Sequence, residues 1–247
     1  MKIISSRQNE QVKALIKLKL QKERKKQNKF LAEGVRVCKT LIESGALLEN
    51  LYTTERTLDT AKKLASDNKI IQVTEPVMAK ISTVSTPSGL VGSFQIPSPP
   101  SPEKLSSGLI LAQIADPGNM GTLIRSCAAM GFTSVVTIEG ADPWGPKSVQ
   151  ASAGQIINVN IFKWSWQELL KHKAHLKLLA LVVEGGKPPK DVALKNALLV
   201  VGSEAHGIPK AWIHNCDDKL TIPMPGKTES LNAAVAGSIA LYAALYN

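Results

Sequence analysis

The chain lacks any long hydrophobic run, and this excludes a membrane-spanning helix. No apolar segment approaches the roughly 18 residues that such a helix needs, although 44% of the 247 residues are hydrophobic and the mean hydropathy is -0.01. The first residues also lack the apolar stretch of a secretory signal. We therefore expect a globular protein of the cytoplasm, built as one large domain or two smaller ones.

Cysteine and histidine are scarce, with three and four residues respectively. Cys38, Cys127 and Cys216 are far apart and odd in number, which excludes a disulfide framework and a zinc spacing and fits a reducing cytosol. The histidines form no metal-binding pattern, because His172 and His175 share a predicted helix but have no third ligand. We expect no bound metal.

Two nucleotide-binding signatures are missing as well. The segment Gly226-Lys227-Thr228 looks like the end of a P-loop, but Thr221 stands where that motif requires its first glycine. No Gly-x-Gly-x-x-Gly follows the first strand of the C-terminal half, which argues against a Rossmann dinucleotide site.

Positive charge is abundant, and it is concentrated in the N-terminal part. The formal net charge is +10; residues 1–97 hold 17 Lys/Arg and 9 Asp/Glu, and residues 98–247 hold 13 and 11. This asymmetry predicts that a polyanion, most commonly a nucleic acid, docks on the N-terminal part. A basic surface without a partner is the alternative.

Residues 8–27 are predicted to form one lysine-rich helix, because Val12, Leu15, Ile16 and Leu20 make an apolar stripe at helical spacing. Lysines and arginines near such a helix can neutralise RNA phosphates, and arginine does so with two donors. The candidate RNA-binding residues are Arg7, Asn9, Lys13, Arg24, Lys25 and Arg36.

The pattern of elements predicts two α/β domains. Residues 1–96 alternate between helical and strand patterns and contain no cluster of catalytic or metal-binding residue types, which is typical of a binding domain. Residues 97–107 are rich in proline and serine, as linkers are. Residues 108–247 alternate between buried strands and helices, which predicts a mostly parallel sheet.

Three polar, glycine-containing loops follow buried strands of the second domain, at 116–121, 202–207 and 222–232. Ligands of parallel α/β sheets bind at the carboxyl ends of strands, so these loops are candidates for binding a small adenosine-like molecule. Arg125 lies one turn into the helix after the first loop. It is the only arginine in residues 98–247.

The third loop leads into a helix that is predicted to begin near Leu231, with Ser230 or Thr228 as its cap. Leu231, Val235, Ile239 and Tyr242 form its apolar face. The small residues from Ala233 to Ser238 keep this helix slim enough to lie close to another backbone.

Together, the three loops resemble the motifs of the SpoU/TrmH family of RNA 2′-O-methyltransferases, in the knotted SPOUT class. The first motif is Asn119-x-Gly121-x-x-x-Arg125 with Gly131, and the second is Gly202-Ser203-Glu204-x-x-Gly207. The third runs from Ile222 through Gly226 to Ser230-Leu231-Asn232-Ala233, and Ser152-x-Gly154 matches a further family segment. The N-terminal part, through Phe30-Leu31-x-Glu33-Gly34-x-Arg36, is similar to the substrate-binding domain of rRNA-modifying members.

The resemblance implies S-adenosylmethionine as methyl donor, a ribose 2′-hydroxyl as acceptor, a homodimer and a deep trefoil knot in the C-terminal domain. It also implies a small L30e-like RNA-binding domain at residues 1–96. The catalytic residues that it implies are Arg125, Asn119, Glu204, Ser230 and Asn232. The cofactor-binding residues that it implies are Gly202, Ser203, Glu204, Gly207, Ile222, Met224, Gly226, Leu231 and Asn232.

The substrate is expected to be 23S or another large rRNA, and the resemblance leaves three alternatives. A tRNA 2′-O-methyltransferase would share the catalytic motifs. A non-catalytic RNA-binding factor would keep the fold but lose Asn119, Arg125 or Asn232, and all three are present. An α/β enzyme acting on a small molecule would leave the basic N-terminal part unexplained.

Overall fold

The computed structural model describes residues 2–192, 196–226 and 229–246, apart from the side chain of Lys2. The chain divides into two compact units. The first consists of the chain up to Ser98 together with Trp144–Ile157, and the second of Pro99–Pro143 together with the chain from Asn158 onward. None of the described helices combines the length and apolar character needed to cross a bilayer.

The described elements alternate between strands and helices almost throughout. The first ten are β1 (Lys2–Ile4), α1 (Glu10–Lys17), α2 (Gln21–Gln27), β2 (Lys29–Glu33), α3 (Val35–Glu43), β3 (Leu48–Thr53), α4 (Leu58–Leu64), β4 (Ile70–Val73), α5 (Glu75–Ile81) and β5 (Leu90–Gln95). The others are β6 (Gly108–Ala112), α6 (Pro117–Ala129), β7 (Ser134–Ile138), α7 (Pro146–Ala151), β8 (Asn160–Lys163), α8 (Trp166–His172), β9 (Lys177–Leu181), β10 (Ala197–Gly202), α9 (Lys210–Ile213), β11 (Asp218–Leu220) and α10 (Ala233–Ala243).

The first unit is built on a five-stranded sheet in the order β1-β4-β3-β5-β2. The strands β1, β4 and β3 are parallel, whereas β5 runs antiparallel to both β3 and β2. Helices α1 and α5 pack on one face, where Leu15, Tyr52, Ile71 and Met78 belong to a single buried cluster. The unit is therefore an α/β domain, as the alternating pattern predicts.

The predicted single helix over residues 8–27 is instead two helices, and this expectation was wrong. The break falls at Leu18–Leu20, where Leu18 is buried and Leu20 is 63% exposed. The guanidinium group of Arg24 donates from Nη1 to the carbonyl oxygens of Leu18 (2.8 Å) and Lys19 (2.9 Å). These bonds satisfy carbonyl groups that the end of α1 leaves without helical partners, so they stabilise the break.

The second unit has a six-stranded sheet in the order β11-β9-β10-β6-β7-β8, with every pair parallel. Helices α6 and α10 contact each other on one face. The other face carries a buried cluster that includes Ile110, Phe162, Trp166 and Leu198. The predicted fold class, with a parallel sheet in the C-terminal domain, is confirmed. The deep trefoil knot stays a prediction.

The segment Trp144–Ile157 differs from the sequence-based division, which assigns residues 108–247 to a single domain. In the structure it packs with the first unit. The ring of Trp144 lies 5.0 Å from that of Phe30, and Trp144 is only 7% exposed. Gly154, at φ +83°, leaves no room for a side chain, since a Cβ there would lie 2.9 Å from the carbonyl oxygen of Val37.

Helix α10 begins later than predicted, and it is capped by a different residue. Asn232 is the N-cap, because its Oδ1 accepts from the backbone N–H groups of Ala234 (2.9 Å) and Val235 (3.3 Å). Ser230 is therefore not the cap, and Lys227 and Thr228 lie outside the described residues.

Helix α10 packs against its own unit through its small residues and not through the apolar stripe. The residues that the helix buries are the small ones and Leu241, whereas Val235, Ile239 and Tyr242 are 47%, 39% and 56% exposed. Gly237 explains the close fit, because a Cβ there would lie 2.4 Å from Cδ2 of Leu123 and 3.1 Å from Cγ2 of Val201.

Candidate active site

The parallel sheet of the second unit brings the three predicted loops to one edge. All six strands point the same way, so the chain following β6, β10 and β11 leaves the sheet on the same side. The strand order changes direction between β6 and β10: β7 and β8 lie beyond β6, and β9 and β11 lie beyond β10. Crevices at such switch points are where open α/β sheets bind ligands.

A chain of side-chain hydrogen bonds connects the three loops through Asn119. The amide nitrogen of Asn119 donates to Oε1 of Glu204, in the second loop. The amide nitrogen of Asn232, after the third loop, donates to Oδ1 of Asn119 over 3.1 Å. The amide group of Asn119 thus acts as donor to one loop and acceptor to the other.

Two helix N-termini hold this hydrogen-bonded chain in position. The carboxylate of Asp116 caps α6 by accepting from the backbone N–H of Asn119 over 2.7 Å. Asn232 caps α10 with the oxygen of the same amide whose nitrogen reaches Asn119. Each cap fixes the backbone at the point where a site residue leaves it.

The second loop is a tight turn in which two positions require glycine. Ser203 and Gly207 exchange both backbone hydrogen bonds, at 3.2 Å and 2.8 Å. Gly207 has φ +65°, and a Cβ on Gly202 would lie 2.3 Å from the carbonyl carbon of Gly207. The turn exposes Glu204 and leaves its carboxylate directed at Asn119.

A cavity of about 240 Å³ opens beside these loops. Most of the residues predicted to bind a cofactor line it, namely Gly202, Ser203, Glu204, Gly207, Ile222, Met224 and Leu231, and so does Ser230. Gly226 and Asn232 do not line it. The cavity wall is mostly aliphatic, with backbone groups of the second loop at one side.

Part of this wall comes from residues that the sequence does not identify as site residues. Leu181 ends β9, the neighbour of β10 in the sheet, and Val182 and Val183 follow it, so all three reach the cavity. Val201, Ala233 and Ala236 complete it. The apolar run that forms β9 predicts a buried strand, but it has no polar side chain that would mark its end as part of a site.

Arg125 takes no part in the hydrogen-bonded chain among the described residues. It is exposed, and it makes no hydrogen bond or ion pair with any residue that the structure describes. Its neighbour Ser126 bonds to Ser238 of α10 (2.7 Å between the two Oγ atoms), so Arg125 lies beside that helix. Within the described ranges, therefore, no side chain or carbonyl group competes with a ligand for the donors of its guanidinium group.

The predicted RNA-binding residues fall into three groups. Arg7, Lys25 and Arg36 are exposed. Asn9 caps α1 by accepting from the backbone N–H of Gln11, and Lys13 pairs with Glu10 over 2.9 Å. Arg24 is only 3% exposed and binds two backbone carbonyl groups. The RNA-binding role predicted for Arg24 is therefore replaced by a structural one.

Glu33, within the N-terminal motif, is also a structural residue. It is 2% exposed, and its carboxylate accepts hydrogen bonds from Ser82 Oγ (2.8 Å), Thr83 N (2.6 Å), Thr83 Oγ1 (2.8 Å) and Ser88 N (3.2 Å). These bonds satisfy a charge that would otherwise be costly to bury, and they fix the loop between α5 and β5.

Within the described ranges, no group of three or more potential metal ligands comes together.

The chain is similar to RNA methyltransferases along nearly its whole length. Residues 9–92 match the MRM3-like substrate binding domain. The chain is 28% identical over 250 residues to the 23S rRNA (guanosine(2553)-2'-O)-methyltransferase RlmP of Bacillus subtilis (strain 168), with 98% of each chain covered.

Solved structures of similar proteins cover the same length. The AdoMet-bound rRNA methyltransferase from Sinorhizobium meliloti has a TM-score of 0.86 at 25% identity, over 99% of this chain and 97% of that chain. An RNA 2'-O ribose methyltransferase has a TM-score of 0.80 at 27% identity, over 99% and 98%. Residues 107–242, more than half of the chain, match the model of the SpoU rRNA methylase family, and the chain therefore belongs to that family.

Proposed function

We propose that this protein transfers a methyl group from S-adenosylmethionine to a ribose 2′-hydroxyl of ribosomal RNA, with 23S rRNA as the favoured substrate. The observation that carries the proposal is the hydrogen-bonded chain from Glu204 through Asn119 to Asn232, which joins three loops beside one cavity. The full-length similarity to proteins named as rRNA methyltransferases supports rRNA over tRNA.

The cavity fits S-adenosylmethionine by the chemistry of its lining. Ile222, Met224 and Leu231 offer apolar side chains to a flat adenine ring, and the turn Gly202–Gly207 offers backbone groups that can read its edge. The absence of a side chain at Gly202 is required for this turn to close. When bound, S-adenosylmethionine supplies an activated methyl group.

The residues of this chain would act by positioning and by electrostatics. Arg125 would hold an RNA phosphate and stabilise the negative charge that develops on the 2′-oxygen, since a guanidinium group stays protonated in proteins and cannot serve as a base. The proton of the 2′-hydroxyl would leave with assistance from that phosphate. Asn119 would orient the ribose, with Glu204 fixing the amide of Asn119 and Ser230 and Asn232 fixing the third loop.

The protein is proposed to act as a homodimer, and α10 supplies the surface. Val235, Ile239 and Tyr242 recur at steps of four and three residues and remain 47%, 39% and 56% exposed. An apolar helical face of this kind is typical of a protein interface. The cytoplasm is the expected location, because an rRNA substrate is met there.

The proposal is tested by incubating the full chain with unmodified 23S rRNA transcript and methyl-labelled S-adenosylmethionine. We expect labelled RNA, with the methyl group located on a ribose 2′-oxygen by mass spectrometry of nucleosides. Arg125→Ala should reduce the rate of transfer by at least about 100-fold while RNA binding stays measurable.

Three outcomes would contradict the proposal or part of it. Full activity in Arg125→Ala would remove this arginine from the mechanism. RNA binding without detectable binding of S-adenosylmethionine by calorimetry would favour a non-catalytic RNA-binding factor. Efficient methylation of tRNA, without methylation of 23S rRNA, would show that the substrate is tRNA and contradict the assignment to rRNA.

A further inference from the structure

A second cavity, of about 140 Å³, lies within the first unit. The residues lining it come from α1, α2, β2, β3 and β5, so the cavity belongs to the region that matches a substrate-binding domain and is formed by none of the three loops of the candidate active site.

The phenol of Tyr52 is the most informative group in this cavity. The residue is only 3% exposed and its side chain belongs to the buried cluster, yet its hydroxyl makes no hydrogen bond with any described residue. Burial, followed by the nearby charge of Glu49, raises the pKa of Tyr52 to about 12. The hydroxyl therefore keeps its proton and remains able to donate to a ligand.

Two other groups beside Tyr52 can make hydrogen bonds to a ligand. The amide side chain of Asn50 is half-buried and has no partner among the described residues. Ser93 is 2% exposed, and its hydroxyl makes one long bond, of 3.4 Å, to the carbonyl oxygen of Asn50. Tyr52 and Asn50 thus present polar groups to the cavity that no described residue occupies, and a ligand in the cavity could make hydrogen bonds to them.

The remaining walls make the cavity neutral and partly apolar. Lys29 pairs with Glu49 over 2.8 Å, so the two charges on the wall compensate each other. Ala14 and Leu15 of α1, and Leu18 directly after this helix, contribute apolar surface. A neutral cavity with amide and hydroxyl groups on one side and aliphatic groups on the other suits a nucleobase better than a phosphate.

The helices that form the cavity also carry the charge needed to hold an RNA backbone. Lys17 is exposed at the end of α1, and Lys22, Lys25 and Lys26 are exposed on α2. Phosphates flanking a base in the cavity could be neutralised by these side chains.

We propose that the cavity lined by Tyr52, Asn50 and Ser93 binds one unpaired nucleobase of the substrate RNA, read through hydrogen bonds from these three side chains. The proposal rests on the proposed function, since it takes RNA as the ligand. It goes further by assigning a base-binding subsite to the first unit, separate from the site of methyl transfer.

The test uses the full chain and unmodified 23S rRNA transcript, with binding measured at equilibrium in the absence of S-adenosylmethionine. Tyr52→Phe removes only the hydroxyl group, and we expect it to weaken RNA binding about 5-fold to 10-fold. The melting temperature should stay the same or rise, because the hydroxyl has no partner to lose. Tyr246→Phe, at a tyrosine that is 73% exposed in the second unit, is the matched control and should bind normally.

A second variant keeps the test decisive if the effect of one hydroxyl is small. Ala14→Phe adds a ring on the exposed face of α1 at the cavity wall, and we expect it to weaken RNA binding at least about 10-fold by occupying the space of the base. Normal RNA affinity in both Tyr52→Phe and Ala14→Phe would overturn the proposal.

The dependence of binding on salt separates a base from a phosphate. A base contact releases no counterions, so the slope of log K against log salt should be the same for Tyr52→Phe and the unmodified protein. A shallower slope in Tyr52→Phe would mean that the cavity holds a phosphate, and would overturn the proposal. Tyr52-dependent RNA binding by a protein that transfers no methyl group would leave this proposal standing and contradict only the proposed function.

Discussion

At the scale of single residues, the amide of Asn119 connects the other two motifs of the site. Its nitrogen donates to Glu204 and its oxygen accepts from Asn232, which uses both the donor and the acceptor of one amide group. Its backbone is held separately, by the carboxylate of Asp116. A change in the side chain of Asn119 should therefore disturb the site while leaving the start of α6 in place.

We expect Asn119→Ala to lower the rate of methyl transfer at least about 100-fold, because Glu204 and Asn232 lose the group that joins them. The loss of stability should stay near 1 kcal/mol, since this is the typical contribution of a hydrogen bond. Transfer assays and urea unfolding measure the two effects. Asn68→Ala, at an exposed amide of the first unit, serves as control. Unchanged transfer in Asn119→Ala would show that the hydrogen-bonded chain is not needed.

At the scale of elements, two neighbouring basic residues near the boundary between α1 and α2 have different roles. Arg24 is buried and bonds to the carbonyl groups at the break, whereas Lys25 is exposed on the same helix. The first should affect stability and the second should affect RNA binding.

Arg24→Ala is expected to destabilise the protein by about 1–3 kcal/mol, because it leaves buried carbonyl groups unpaired. Lys25→Ala should leave stability unchanged and lower the salt slope of RNA binding by about 0.7 to 0.9, the effect of one phosphate contact. Denaturant unfolding and RNA binding at several salt concentrations measure both. The assignment of Arg24 fails if its variant is as stable as Lys25→Ala.

Helix α10 presents an apolar stripe away from the core of its own unit. We expect Ile239→Glu to convert the proposed dimer into a monomer, because a charge at the centre of an apolar interface is costly to desolvate. Sedimentation at several protein concentrations measures the mass. The matched control is Val84→Glu, at a valine of the first unit with similar exposure of 40%. A protein that is monomeric before any substitution would contradict the dimer.

The elements also show how far the sequence alone could predict the site. The loops after β6, β10 and β11 were predictable, because buried strands identify a parallel sheet and a parallel sheet brings strand ends to one edge. The orientation of α10 was not, since the periodicity of Val235, Ile239 and Tyr242 shows which face is apolar but not what covers it. The role of Arg24 was also hidden, because it depends on carbonyl groups exposed by a break that the apolar stripe does not reveal.

At the scale of the whole molecule, the chain passes between the two units more than once. It leaves the first unit after Ser98, returns at Trp144 and leaves again after Ile157. In the returning segment, Val149 and Ile156 are fully buried and Trp144 is nearly so. A fragment that starts at residue 98 would expose all three side chains.

We therefore expect the fragment 98–247 to aggregate, although it contains every residue of the candidate active site. The double substitution Trp144→Ser and Val149→Ser should raise the solubility of the fragment, because it removes two apolar side chains that are exposed to solvent once the rest of the first unit is absent. The same pair of changes should destabilise the full chain by at least about 3 kcal/mol. Light scattering and thermal unfolding measure the two effects. A soluble, unmodified fragment would contradict the assignment of Trp144–Ile157 to the first unit.

The return of the chain at Trp144 also limits how such a protein can be recombined. An RNA-recognition unit joined at one point can be exchanged between relatives by a single crossover. Here, a crossover after Ser98 would combine the sheet of one parent with the Trp144–Ile157 segment of the other, and residues such as Phe30 and Trp144 would no longer be matched. Functional chimeras with a new RNA specificity should therefore inherit both pieces from the same parent.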